Sequence, residues 1–198
     1  MQEIKIHEVG LRDGLQMESE LIPTIHKEQW IAELFESNVD IIQIGSFVHP
    51  KYVPQMADTD ELFEMFSSDD RKPDNVLLSG LVLNEKGMAK QALIIKNWGN
   101  HIYVKIPVTN SKGAFTGKVI RELNSKKIKL NITAVYKVGQ VKKILKSINK
   151  KTKVIISVFV GRAADNGKDP IPILKKSISL SKKFKNVSIL WASVREPY

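Results

Sequence analysis

The chain has 198 residues, 42% of them hydrophobic, with a formal net charge of +10 and no cysteine. That length suits one domain with a substantial apolar core, and the lack of cysteine excludes disulfides, zinc–thiolate sites and cysteine nucleophiles. No uninterrupted apolar run reaches the roughly 18 residues of a membrane span and no signal-peptide core begins the chain, so we expect a cytoplasmic protein without a membrane partner.

The charge is distributed unevenly along the chain. Residues 1–100 carry a net charge of −8, whereas residues 101–198 carry +18. Three readings of this asymmetry are open: a nucleic-acid surface, an anionic-substrate site, or a general preference for lysine in one lineage. The lysines interleave with apolar helix positions and no ladder of aromatic residues accompanies them, so nucleic acid is not the expected partner. We expect the lysine-rich stretches 126–129, 142–153 and 175–185 to cover outer helix faces.

Strands and helices are predicted to alternate from one end to the other. Segments 24–37 and 138–149 place apolar residues at helical spacing, and Pro170 after Asp169 predicts the start of a further helix. Short apolar runs rich in β-branched residues predict seven strands, the first six each followed by a candidate helix. These strands are residues 4–9, 41–48, 76–83, 102–108, 130–136, 154–160 and 187–194.

This alternation predicts βαβ units around a parallel sheet. The segment 10–14 has two glycines without the dinucleotide-binding spacing, which favours a TIM-type (β/α) barrel over a doubly wound sheet. A complete barrel usually takes about 250 residues, so the eighth βα unit is expected to be missing after the seventh strand. The expected result is an open seven-stranded barrel, a barrel edge closed by a second copy, or a truncated chain.

Two motifs in the first half resemble a known enzyme family. Residues 8–16 read EVGLRDGLQ and residues 45–58 read GSFVHPKYVPQMAD. Over about residues 1–90 the chain thereby resembles hydroxymethylglutaryl-CoA (HMG-CoA) lyase and related metal-dependent barrel lyases. The resemblance implies that Asp13 binds a divalent metal, that Arg12 stabilises an enolate oxygen and that Glu8 lies beside them. The family's His-x-His pair on a late strand and its catalytic cysteine do not occur in this sequence.

Four motifs in the second half resemble a different barrel family. They are YVKIPVT at 103–109, ITAVY at 132–136, VFVGRAAD at 158–165 and WASVREP at 191–197. Their order and spacing over about residues 76–198 resemble the transaldolase and fructose-6-phosphate aldolase group. The resemblance implies that Lys105 forms a Schiff base with a ketose or ketone and that Thr133 positions a catalytic water. It also implies a substrate-phosphate site formed by Arg162, Ser193 and Arg195.

The position of Lys105 supports this role independently. An ammonium in mid-strand between Val104 and Ile106 is expected to be partly desolvated, which lowers its pKa and favours the neutral amine that imine formation needs. Glu8 stands where the family carries an aspartate that shuttles protons. Gly80 stands where the family usually carries a Glu or Gln that orients water.

The sequence therefore predicts one barrel domain that is a mosaic of a lyase-like half (1–85) and a transaldolase-like half (86–198). The leading hypothesis is an aldolase or transaldolase of carbohydrate metabolism that acts on sugar phosphates through Lys105 and needs no cofactor. The first alternative is an HMG-CoA lyase-like enzyme, which alone would require a divalent metal. The second is a catalytically silent barrel that binds a phosphorylated ligand or a protein partner.

Overall fold

The computed structural model of the chain describes residues 4–48, 50–67, 75–80, 85–97 and 102–193. Strands alternate with helices, and each strand pair in the two sheets is parallel. The prediction of an α/β protein built on parallel strands is confirmed. The chain divides into two compact units, Met1–Leu81 with Trp98–Tyr103, and Val82–Asn97 with Val104–Tyr198.

The first unit contains a three-stranded parallel sheet in the order β1-β2-β3. A π-helical turn, Gly10–Gly14, and a 3-10 turn, Leu15–Met17, follow β1, and another 3-10 turn, Pro54–Met56, precedes α2. The regular elements are β1 (His7–Glu8), α1 (Thr24–Glu36), β2 (Ile41–Phe47), α2 (Thr59–Ser67) and β3 (Asn75–Gly80).

Apolar side chains of α1, α2 and β2 form the core of the first unit. Ile31 and Ile42 are fully buried and Leu62 is 1% exposed, while the rings of Phe35 and Phe66 pack edge to face. Burying such side chains stabilises the fold by about 1.5–3 kcal/mol each. The helices therefore dock on the sheet through their apolar faces, as the helical spacing of segment 24–37 predicts.

A buried ion pair fastens α1 to the segment before α2. Lys27 Nζ lies 2.7 Å from Asp58 Oδ1 and donates a hydrogen bond of 2.7 Å to the carbonyl of Gln55. Thr24 Oγ1 donates to the same carboxylate at 3.0 Å. Gln55 Nε2 in turn donates to the carbonyl of Glu18, at 2.6 Å. The network ties the end of the loop after β1 to the loop after β2.

The second unit contains a four-stranded parallel sheet in the order β4-β5-β6-β7. Asp169 Oδ1 accepts a hydrogen bond from the amide of Ile171 at the start of α7, where the sequence predicts a helix. The elements are α3 (Glu85–Lys96), β4 (Val104–Pro107), α4 (Gly117–Ser125), β5 (Leu130–Val135), α5 (Val138–Leu145), β6 (Val154–Val158), α6 (Val160–Asp165), α7 (Ile171–Ser181) and β7 (Val187–Trp191).

Several elements are shorter than predicted, among them the first and sixth strands. The first strand is confined to His7–Glu8, with Ile4 and Ile6 largely exposed before it. The sixth strand ends at Val158, because helix α6 begins at Val160. Apolar content alone does not distinguish a buried strand from the first turn of a buried helix. None of the helices in the described segments is long and apolar enough to cross a membrane.

Candidate functional site

The sheet of the second unit has one apolar face and one face that carries polar side chains. Ile106, Ile132 and Ile156 are paired neighbours on β4, β5 and β6, and all three are fully buried. Because side chains alternate along a strand, Lys105 and Asn131 lie on the other face, directly opposite one another on β4 and β5. Lys105 is half-buried, in agreement with the partly desolvated position that the sequence predicts.

A hydrogen bond extends this polar face to β6. Ser157 Oγ, in a side chain that is 2% exposed, donates to Asn131 Oδ1 at 2.7 Å. The bond fixes the orientation of the Asn131 amide beside Lys105, because Oδ1 is committed to Ser157. A polar row therefore crosses three strands and consists of Lys105, Asn131 and Ser157, with Lys105 at one end.

Thr133 lies two residues further along β5, near its carboxyl end. Its side chain is 4% exposed, and Oγ1 is buried without a hydrogen-bond partner. A buried hydroxyl without a partner costs free energy, which is typical of groups kept for a ligand or an ordered water. This placement supports the prediction that Thr133 belongs to the site.

A β-bulge at Ala134 directly follows Thr133 on β5. Ala134 has φ +57°, in the left-handed region, and the pairing of β5 with β6 shifts between Ile132 and Val135. The extra residue returns Val135, which is fully buried, to the register of Val158 on the apolar face. Bulges of this kind re-aim side chains near functional sites, and here the residue before the bulge is Thr133.

We expect Ala134→Gly and Ala134→Val to have opposite effects on stability. Glycine adopts a positive φ at no steric cost, which removes about 1 kcal/mol of strain, whereas valine at this φ costs about 2 kcal/mol or more. Urea unfolding of the three proteins measures the difference. Equal destabilisation by both variants would show that packing around the alanine methyl group, and not its backbone conformation, governs this position.

The three predicted phosphate-binding residues have different placements. Arg162 lies in the first turns of α6, where its guanidinium is exposed and 3.6 Å from the Asp165 carboxylate. Ser193 follows β7 with φ +57° and is half-buried. Arg195 lies outside the described residues. Nearby, the rings of Tyr136 and Phe159 pack edge to face with centroids 5.5 Å apart. The phosphate site stays a prediction.

In the first unit, Glu8 ends β1, and Arg12 and Asp13 lie in the π-helical turn that follows it. Glu8 Oε1 accepts a hydrogen bond from the Gly10 amide, and the amides of Arg12 and Asp13 both donate to the carbonyl of Val9. A Cβ atom at Gly10 would lie 2.7 Å from Glu8 Oε1 and 2.9 Å from the Trp30 ring, so a larger residue here would force these side chains to move.

Arg12 is the most buried charged group of this turn. Its side chain is 17% exposed and is ion-paired with Asp13, whose side chain is 48% exposed. The Nε atom of Arg12 is buried without a hydrogen-bond partner. Burial lowers the pKa of Arg12 from its ordinary value, although a guanidinium remains charged at neutral pH. A buried cation with an unused donor can stabilise a developing oxyanion.

The residues around Asp13 do not by themselves make a divalent-metal site. Within the described segments, no three histidine, aspartate or glutamate side chains are grouped so that they could hold a metal ion. Asp13 is moreover paired with Arg12, whose positive charge opposes a cation at the same carboxylate. Hard divalent cations need about six oxygen ligands, several of them from the protein or from substrate.

Sequence reasoning missed Asn131 and Ser157. It considered the residues that close each strand, whereas these two lie within β5 and β6. A signal was present, because Asn131 precedes Thr133 by two residues and therefore shares its face of the strand before the bulge. A polar residue in the middle of a buried parallel strand is itself uncommon.

Curated relatives match the N-terminal half of the chain. The HMG-CoA lyase of Pseudomonas mevalonii is 39% identical over 87 residues, which are 44% of this chain and 28% of that enzyme. The mitochondrial HMG-CoA lyase of Mus musculus is 46% identical over 63 residues, 32% of this chain and 19% of the enzyme. The chain thus matches less than a third of the length of these relatives.

Solved structures of HMG-CoA lyases share the fold. The enzyme from Brucella melitensis superposes with a TM-score of 0.62 at 19% identity, covering 96% of this chain and 72% of that one. The Bacillus subtilis enzyme gives a TM-score of 0.63 at 20% identity, with 94% and 67% covered. These neighbours are TIM barrels, which confirms the predicted fold class but not the predicted number of strands.

One expectation about cofactors is wrong. The leading hypothesis required none, but the relatives of the N-terminal half are lyases of a class that depends on a divalent metal. The expectation followed from the Schiff-base chemistry assigned to the second half, which needs no metal, and it was extended to the whole chain. The relatives of the part that carries Arg12 and Asp13 conflict with that extension.

The second half matches a different family. The family model described as transaldolase/fructose-6-phosphate aldolase matches residues 77–198, which is more than half of the chain. The matched region contains Lys105, Asn131, Thr133 and Ser157, the residues of the polar face in the second unit. The two resemblances found in the sequence are therefore both confirmed. The chain belongs to the transaldolase/fructose-6-phosphate aldolase family.

Proposed function

We propose that the chain is a carbon–carbon lyase, an enzyme that breaks or forms a bond between two carbon atoms next to a carbonyl group. The observation that carries the proposal is that both parts of the chain independently match enzymes named for such reactions. Both reactions pass through an enolate or enamine, which an enzyme must stabilise. The two units offer different groups for this task, a guanidinium in the first and an amine in the second.

The first candidate reaction, cleavage of HMG-CoA, has the more direct support from relatives. Identities of 39% and 46% to HMG-CoA lyases fall on the part that contains Glu8, Arg12 and Asp13. In this candidate reaction, the Arg12 guanidinium stabilises the negative charge on the enolate oxygen, and Glu8, at the end of β1 just before the turn, is the proton acceptor.

We expect Arg12→Lys to lower the rate of HMG-CoA cleavage by about 10²–10³-fold, the usual loss when one oxyanion donor is removed. The ammonium keeps the charge but loses the planar set of donors. The rate is measured by chromatographic detection of the acyl-CoA product that is released. Arg121→Lys, at an exposed position of α4, is the matched control and should retain activity. A similar loss in both variants, or none in either, contradicts the assignment.

A second candidate, a Schiff-base aldolase or transaldolase, is favoured by a specific geometric observation. Lys105 lies opposite Asn131 on the polar face of the sheet, and the unpartnered Thr133 hydroxyl lies two residues along the same strand. In this candidate the Lys105 amine attacks a ketone or ketose carbonyl and loses water to form an iminium. Arg162, Ser193 and Arg195 would hold the phosphate of a sugar phosphate.

Two finer features belong to the proposal. They are association with a second copy of the chain and a cytoplasmic location, although some relatives are named mitochondrial. The catalytically silent barrel is distinguished by binding without turnover. If neither cleavage reaction occurs and a sugar phosphate still binds, the chain is a binding module.

A further inference from the structure

A dense group of lysines lies at the amino-terminal edge of the sheet in the second unit, apart from the polar face that carries Lys105. The loops that lead into β5, β6 and β7 are residues 126–129, 146–153 and 182–186, and they contain ten lysines among 17 residues and no Asp or Glu. The three strands are adjacent and parallel, so the loops meet at one edge. This lysine edge consists of Lys126, Lys127, Lys129, Lys146, Lys150, Lys151, Lys153, Lys182, Lys183 and Lys185.

Hydrogen bonds of three asparagine side chains and one threonine hydroxyl join the segments around these loops. Asn124 Oδ1, in a side chain that is 1% exposed, accepts a hydrogen bond of 2.7 Å from the amide of Asn149. Asn186 Nδ2 donates to the carbonyls of Asn149, at 3.0 Å, and Thr152, at 2.6 Å. Thr152 Oγ1 donates to the carbonyl of Asn124 at 3.3 Å. The lysines therefore extend from a cross-linked backbone and keep their spacing.

The positive charges of this edge lie close together. All of the ten side chains except Lys129 are exposed, and Lys129 is half-buried. Burial and the nearby Lys153 ammonium lower the pKa of Lys129. Lys126 is paired with Glu122 at 2.6 Å, but the loops themselves supply no carboxylate. Such a field attracts a partner that carries several negative charges at short intervals.

We propose that the lysine edge binds the phosphate backbone of a nucleic acid. Lysine without arginine provides point charges for phosphates and not the bidentate donors that read bases, so the expected binding is independent of sequence. The apolar residues of the loops do not favour a membrane, because Ile128 is 1% exposed and Ile148 and Phe184 are half-buried.

This proposal revises the expectation that nucleic acid is not a partner. That expectation rested on lysines interleaved with apolar helix positions and on the lack of an aromatic ladder, and binding to the phosphate backbone needs no such ladder. The structure ends α4 at Ser125, α5 at Leu145 and α7 at Ser181, which leaves these ten lysines beyond the helices. The proposal does not depend on the reaction that the chain catalyses.

Fluorescence anisotropy of a labelled DNA duplex tests the proposal. Contact with about five phosphates predicts that the affinity falls about 500-fold between about 50 mM and about 200 mM salt. The triple variant Lys150→Gln, Lys151→Gln and Lys153→Gln should lower the slope of log affinity against log salt by about three. The matched control, Lys168→Gln, Lys175→Gln and Lys176→Gln, removes the same charge from exposed positions elsewhere and should change the slope by less than about one.

Three results would overturn the proposal. They are no binding at the lower salt concentration, an equal loss in the control variant, and tighter edge-dependent binding to phosphatidylserine vesicles or polyglutamate than to the duplex. If circular dichroism shows that the first triple variant does not fold, the neighbouring loop supplies Lys182→Gln, Lys183→Gln and Lys185→Gln, for which the same fall in slope is expected.

Discussion

Treatment of the chain with hydroxyacetone and borohydride is expected to leave a reduced adduct on Lys105, and the Lys105→Arg variant is expected to form none. The amine adds to the ketone carbonyl, water leaves to give the iminium, and hydride from borohydride reduces it to a stable secondary amine. Arginine cannot form the imine because its guanidinium remains protonated. If the aldolase candidate is right, the variant also loses about four to six orders of magnitude in the rate of aldol cleavage.

Peptide mass spectrometry locates the adduct and makes the experiment specific. Lys129 is the natural internal control, because burial lowers its pKa although it lies at the opposite end of β5 from Thr133. Labelling of Lys105 without labelling of Lys129 supports the assignment of the site. An adduct that forms equally on both lysines, or that persists in Lys105→Arg, rejects the Schiff-base candidate and leaves the lyase candidate in place.

Asp58→Asn is expected to lower the free energy of unfolding by about 3–5 kcal/mol, the largest effect on stability that we predict. The substitution removes the charge that compensates Lys27, whose side chain is 5% exposed. A buried ammonium without its carboxylate pays its full desolvation cost. Thr24 and the carbonyl of Gln55 remain nearby but do not replace the lost negative charge. Urea unfolding followed by circular dichroism measures the change.

Glu122→Gln is the matched control for this prediction. It breaks the Lys126–Glu122 pair, whose side chains are 46% and 48% exposed. Exposed pairs of this spacing contribute about 0.3–0.5 kcal/mol, so this variant should be nearly as stable as the parent chain. If the two variants unfold at similar urea concentrations, the Lys27–Asp58 pair does not hold the first unit together as its burial indicates.

The regular elements of the fold follow closely from the sequence. Runs of β-branched residues predict the strands of the second unit to within a few residues, because both faces of a parallel strand are buried and select apolar side chains. Asp169 before Pro170 marks the start of α7 correctly, since its carboxylate accepts a backbone hydrogen bond there. Lys105 is recognisable because a charged residue interrupts an apolar strand.

Other features of the site depend on interactions between distant parts of the chain. The left-handed conformation of Ala134 has no sequence signal, because alanine does not favour a positive φ and only the pairing with β6 imposes it. The hydrogen bond between Ser157 and Asn131 joins residues 26 positions apart. The grouping of the lysines at one edge also requires the observed helix ends and strand order.

Carbon–carbon bond cleavage by the purified chain tests the central claim most directly. The full chain is incubated separately with HMG-CoA in the presence of Mg²⁺ or Mn²⁺ and with fructose 6-phosphate plus an acceptor aldehyde, and products are followed by NMR. We predict either cleavage of HMG-CoA into a smaller acyl-CoA and a keto acid, or release of glyceraldehyde 3-phosphate from fructose 6-phosphate with transfer of its other three carbons to the aldehyde. Arg12→Lys should lose the first activity and Lys105→Arg the second. Failure of the folded chain to cleave either substrate would contradict its assignment as a carbon–carbon lyase.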